Sequence, residues 1–170
     1  MVRLITLGVL VGWSVLGCAA REEASPERRA EVAARGALVM PFDLAKTTHR
    51  FESLPDGGRQ TVSALEPDSQ QVRLIREHLR QEAERFSRGD FGDPAAIHGH
   101  DMPGLAELRR GAARITVTFS ELPTGAELRY QTSEPALLTA LHHWFAAQRR
   151  DHGLGNQGAR EPGSQGSLVP

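Results

Sequence analysis

The chain has 170 residues, a formal net charge of −1 and a single cysteine. That length accommodates one domain with tails, and the near-neutral balance lacks the net basic stripe of a nucleic-acid surface. Lys46 is the sole lysine, so the arginine excess reads, with the abundant Ala and Gly, as coding bias, and nucleic acid is excluded as a partner.

Arg3 and the apolar run at residues 4–16 have the layout of an export signal. The run falls short of the about 20 apolar residues that a spanning helix needs. Val15-Leu16-Gly17-Cys18 resembles the lipobox of bacterial lipoproteins. The resemblance implies removal of residues 1–17, acylation of Cys18 and a membrane-anchored periplasmic location, with inner or outer membrane left open. A diacylglyceryl group with an amide-linked chain anchors stably where one chain would not. The mature chain then has no thiol, which excludes disulfides, thiolate metal sites and cysteine nucleophiles. Residues 18–36 are charged and Ala-rich, with Val32 their only large apolar side chain, and are expected to form a tether.

The domain expected over residues 37–152 contains an internal repeat. FESLPDGGRQTV (residues 51–62) and FSELPTGAELRY (residues 119–130) share Phe, Leu, Pro and Gly at equal offsets. Leu-Pro-x-Gly is a turn, because Pro presets one φ and Gly accepts a positive one. The alternation of Ile115, Val117 and Phe119 with Thr116 and Thr118 predicts a strand, continued on its return by Leu128 and Tyr130. Each hairpin then leads into a helix. The first is expected to start at Asp68, with Gln71 as capping-box partner, and to bury Val72, Ile75, Leu79, Ala83 and Phe86. A short helix is expected from Pro103 to about Arg110. The last helix, starting near Ser133, buries Leu137, Leu138, Leu141, Trp144 and Phe145. Residues 153–170 are rich in Gly, Pro, Ser and Gln and are expected to be disordered. The fold class is therefore α+β: a four-stranded antiparallel sheet from a duplicated ββα unit, both long helices on its apolar face.

Neither copy accounts for residues 89–104, a polar loop punctuated by Gly and Pro, the kind of segment that more often carries function than not. His98, His100 and Met102 alternate there, so an extended backbone would aim all three one way. His49 shares the apolar strand face with Phe51. All seven histidines fall in residues 37–152. Thioether favours Cu(I) and imidazole takes either copper oxidation state. The expected site is thus a transition-metal centre on His49, His98 and Met102, with His100 and Met40 as further candidates, copper preferred and zinc second. Each residue also has a plainer role: His49 bonded to backbone at a sheet end, His98 bracing the loop against an aspartate, Met102 plugging the short helix. His78 lies off its helix's stripe and is expected to be solvated. His142 and His143 are adjacent and cannot face one point, and His152 suits the negative end of the last helix.

MPFDLAKTTHRF (residues 40–51), GDFGDPAAIHGHDMPGL (residues 89–105) and HHWFAAQRRDHG (residues 142–153) resemble a family of small exported bacterial proteins. The family's loop pattern reads I-H-G-x-x-M-P-G, which His98 and Met102 match and His100 does not. Some members bear a carbamoyltransferase label. This chain is too short for that enzyme's two α/β domains and lacks its Ser-Thr-Arg-Thr-Arg phosphate motif, so no such activity is expected. Two further readings stay open: a non-catalytic surface for an envelope protein partner, and a hydrolase-type enzyme pairing His98 with Asp90, Asp93 or Asp101. No nucleophile elbow, phosphate loop or metalloprotease helix motif supports catalysis.

Overall fold

The computed structural model describes residues 23–153. The expected signal, Cys18 and nearly all of the expected tail lie outside them. The first element is a helix, α1 (Pro26–Val39), opened by Ser25, whose hydroxyl accepts the Arg28 N–H, and by Pro26 at its first position. It packs against α3 and α5, defined below, and buries Val32 and Gly36, one turn apart. The folded unit therefore begins near Pro26, inside the segment expected to be a tether. A single Val gives too weak a periodic signal to reveal this docking, which relies on small residues and on Arg28.

A short 3₁₀ turn, Leu44–Lys46, leads into β1 (Thr47–Leu54), which pairs with β2 (Gly57–Ala64) as the first hairpin. Helix α2 (Ser69–Ser87) follows, then α3 (Gly92–His98) and α4 (Leu105–Gly111). The second hairpin is β3 (Thr116–Leu122) with β4 (Gly125–Gln131), and α5 (Pro135–Asp151) closes the unit. The sheet is antiparallel throughout, in the order β1-β2-β4-β3. Gln60 pairs with Leu128 at the centre of the β2–β4 ladder, and these two occupy the same position in the repeat. The copies thus meet about a local two-fold. Their helices cross over: α2 packs mainly on β4 and β3, and α5 on β1 and β2. Each hairpin's apolar face is covered chiefly by the other copy's helix, which locks the two halves into one core.

That core is aromatic. Phe86 and Phe91 stack with centroids 4.6 Å apart, and Trp144 stands edge-on to both at 6.2 and 5.7 Å. Such pairs add about 0.5–1.5 kcal/mol each beyond area burial. The opposite sheet face is polar, with Arg59 ion-paired to Glu52 and Glu127. Leu38 and Leu65 are the large apolar side chains left exposed among the described residues.

Several local expectations need correction. Asp68 does cap α2, accepting the Gln70 and Gln71 N–H groups, but the Gln71 side chain accepts from the Asp43 N–H instead of completing a capping box. Residues 92–98 are helical, not extended. Pro94, Ala95 and Ala96 suit a first helical turn, and Arg85 anchors it by holding both Asp90 and Asp93. Gly99 ends α3 with φ +103°, directly after His98. Gly104 (φ +83°) lets the following turn press onto α5, where an added Cβ would lie 2.1 Å from the Ala140 carbonyl oxygen.

Candidate functional site

A cavity of about 370 Å³ lies beneath α1, between the β1 edge and the ends of α3 and α5. Three histidines from remote segments line it: His49 from β1, His98 from the last turn of α3, and His152 from the C-cap of α5. The His152 ring lies 5.5 Å from that of His49, nearly parallel, and 5.1 Å from that of His98, edge-on. Met40 borders the same space. Two of the expected ligands do not. Met102 is 6 % exposed and belongs to the hydrophobic core, as its plainer reading held, whereas His100 is exposed beyond the end of α3. Helix formation over residues 92–98 removes the alternation that would have grouped them with His98.

Protonation in the cavity follows from burial and charge. Burial, reinforced by His78 and His98, pushes His49 down to about 4. Burial, reinforced by His49 and His98, pushes His152 down to about 3. His98 is lowered by burial although Asp151 opposes this. Burial works against ionisation of Asp151, but hydrogen bonds from Arg28 and His98 outweigh it and leave this carboxyl below its ordinary value. Asp151 is thus an acceptor only. His98 Nδ1 must donate across the 2.8 Å contact to Asp151 Oδ2, which leaves Nε2 as the ring's lone-pair nitrogen. Arg28 completes the arrangement, its Nη2 donating to Asp151 Oδ2 at 2.8 Å and to the His98 carbonyl at 2.6 Å. All three rings are neutral near pH 7.

The cavity wall also holds polar atoms without partners. Trp144 Nε1 and Gln148 Oε1 are buried and make no hydrogen bond, and both residues line the space. Behind the wall stands a second cluster, His78, Glu82 and Asp93, of which only Glu82 reaches the cavity. His78 is 7 % exposed, which corrects its expected solvation. The buried face of α2 is wider than its apolar stripe because Phe42 covers it, standing edge-on to His78 at 5.7 Å. Burial, with help from Asp93, raises Glu82 to about 8. Burial lowers His78. Among the described residues this is the one group of three that brings a ligand atom from each member within 4.8 Å of the others. The imidazoles of His49, His98 and His152 surround a larger space.

The remaining histidines serve elsewhere. His142 Nε2 lies 2.9 and 3.0 Å from the carbonyls of Leu54 and Gly57 and clasps the β1–β2 turn, while His143 is exposed. Sequence reasoning missed His152, Asp151 and Glu82. A usable signal existed: both α3 and α5 run out in His-Gly, with the glycine at positive φ, so each helix end presents an imidazole. No known protein family, curated protein or solved structure matches the chain.

Proposed function

We propose that this is a cell-envelope lipoprotein, anchored through Cys18, that binds a transition-metal ion on His49, His98 and His152, copper in preference to zinc. One observation carries the reading: three uncharged imidazoles from three remote segments surround a single cavity. Each segment is one of the three stretches that carry the family resemblance. Neutral imidazole is the form that ligates. An ion about 2.0–2.1 Å from each of two ring nitrogens sets their centroids roughly 5–6 Å apart. The His152 pairs, at 5.5 and 5.1 Å, have that spacing. His152 is then the hub, and because its ring lies parallel to that of His49, the rings must turn inside the cavity for their nitrogens to converge on the ion. The C-terminal ends of α3 and α5 both lie at the site, and their negative dipole ends favour a cation. Asp151 orients His98, as carboxylates commonly do for ligating histidines. The Met40 thioether beside the cavity favours Cu(I) over zinc.

The test is titration of the purified chain with Cu(I) and Zn²⁺, followed by elemental analysis. Wild type is expected to retain near-stoichiometric copper, His98→Ala and His152→Ala to lose it, and His100→Ala and Met102→Leu to keep it. Unchanged uptake by His98→Ala and His152→Ala would remove the proposal. A second reading, a small organic ligand in the same space, is favoured by the unpartnered Trp144 indole and Gln148 amide. It predicts a metal-independent thermal shift that Gln148→Leu abolishes.

A further inference from the structure

We infer that His78, Glu82 and Asp93 form a second cation site, built for a divalent first-row ion of the zinc class and separate from the histidine-lined cavity. His78 and Glu82 stand four residues apart on α2, which places them one above the other on the same helix face. Asp93 enters from the first turn of α3, and one ligand atom from each residue lies within 4.8 Å of the other two. The facing atoms are too far apart to satisfy each other: His78 Nε2 is 3.6 Å from Glu82 Oε1, beyond hydrogen-bond range. His78 Nε2 has no hydrogen-bond partner, although the side chain is only 8 % exposed. A ring nitrogen hidden from water, without a partner and beside a buried carboxyl group, is placed to act as a ligand. An ion there would supply the missing partner.

The surroundings hold the ligands as the outer shell of a metal site does. Arg85 Nη1 donates to Asp93 Oδ2 at 2.6 Å, fixing that carboxylate while its other oxygen stays available. On the opposite side the Tyr130 hydroxyl donates to Gln60 Oε1 at 2.9 Å, which turns the Gln60 amide nitrogen toward Glu82, its side-chain hydrogen-bond partner. One nitrogen and two carboxylate oxygens make a borderline-to-hard donor set, suited to Zn²⁺ and lacking the sulfur that would favour Cu(I). Three protein ligands leave a coordination position open. Glu82 is the member that also faces the cavity, so that position is reached from there. The inference does not depend on metal binding by His49, His98 and His152.

The experiment uses Zn²⁺ as probe on the full chain, by calorimetric titration and by retention after dialysis, in wild type, His152→Ala, Glu82→Gln and the double variant. Glu82→Gln keeps the shape and a hydrogen bond to Gln60, and metal-free melting should show it folded; Asp93→Asn is the replacement should it fail to fold. His152→Ala is expected to keep one zinc per chain, and Glu82→Gln in that background to weaken it by at least roughly 10–100-fold. X-ray absorption of the His152→Ala zinc form should show nitrogen and oxygen ligands only. Equal zinc binding by His152→Ala and the double variant, or none by either, would overturn the inference. Loss in His152→Ala alone would instead count against this site and for the cavity.

Discussion

The two copies of the ββα unit share a plan and differ in cargo. At the strand position two residues before the common Phe, the first copy carries His49 and the second Val117. At the ladder centre Gln60 faces Leu128. Counted from the first helical residues, Ser69 and Pro135, His78 occupies the same turn as Trp144, and Glu82 the same turn as Gln148. All four helix residues are buried, and His78, Trp144 and Gln148 each carry a polar atom without a partner. Strand β1 is sheltered by α5 and borders the cavity beneath α1, whereas the Phe119 face of β3 is capped by Arg80, whose guanidinium carbon sits 4.8 Å from the ring centroid. One duplicated scaffold therefore uses its second edge for packing and lines a cavity with its first.

The strongest test of that division truncates the matched helix turn. Trp144→Ala should cost about 3–5 kcal/mol in urea denaturation, as large buried aromatics do. His78→Ala should cost clearly less, since it removes a ring whose nitrogen is unbonded. Equal losses would mean that both positions are merely core.

Copying the second strand into the first sharpens the contrast further. His49→Val should leave the metal-free protein at least as stable at pH 5 and lower copper affinity at least roughly 10-fold. The sign follows from proton counting. His49 and His152 are pushed to about 4 and about 3 in the folded chain, from an ordinary 6.5. Below 6.5 the unfolded chain binds protons that the folded chain refuses, so stability falls as pH drops from 6.5 toward 4. Glu82 acts oppositely: raised from 4.5 to about 8, it holds a proton that the unfolded chain releases, and stability declines as pH rises through 8. Two histidines outweigh one glutamate on the acid side. Metal-free protein should be most stable near pH 6.5, the ordinary value of a histidine. His49→Val should flatten the acid limb and Glu82→Gln the alkaline one. A pH-independent melting temperature would contradict this assignment. The smallest effect is expected at the packing edge, where Arg80→Ala should cost no more than about 0.5–1 kcal/mol in the same denaturation assay.

Legibility tracked the range of the forces involved. Both hairpins could be read because Leu-Pro-x-Gly fixes a turn locally and Phe51 and Phe119 declare a face by alternation. The same alternation put His49 on the apolar side, and the structure agrees. The helix stripes of Ile75, Leu79 and Phe86, and of Leu141, Trp144 and Phe145, were legible for the same reason. What could not be read depends on distant contacts. The β2–β4 ladder and the crossing of the helices have no local signature. His152 looked like a partner for its own helix end because nothing nearby announces the approach of β1. His78 looked solvated because the surface that buries it is provided by Phe42, which lies far from it in sequence. Residues 89–104 looked like a loop because glycine and proline read as loop punctuation, when residues 92–98 form a helix that holds Pro94 in its first turn and stops at Gly99.

The grip of Arg28 on Asp151 and on the His98 carbonyl has one more consequence. The same guanidinium docks α1 over the cavity and keeps charged the carboxylate that orients His98, so the seating of this helix and the basicity of the imidazole are a single variable. Thermodynamic reciprocity then requires that whatever binds more tightly with α1 in place must also tighten α1, by an equal factor. Any ligand of the cavity that prefers α1 seated would therefore strengthen the attachment of that helix in the same measure.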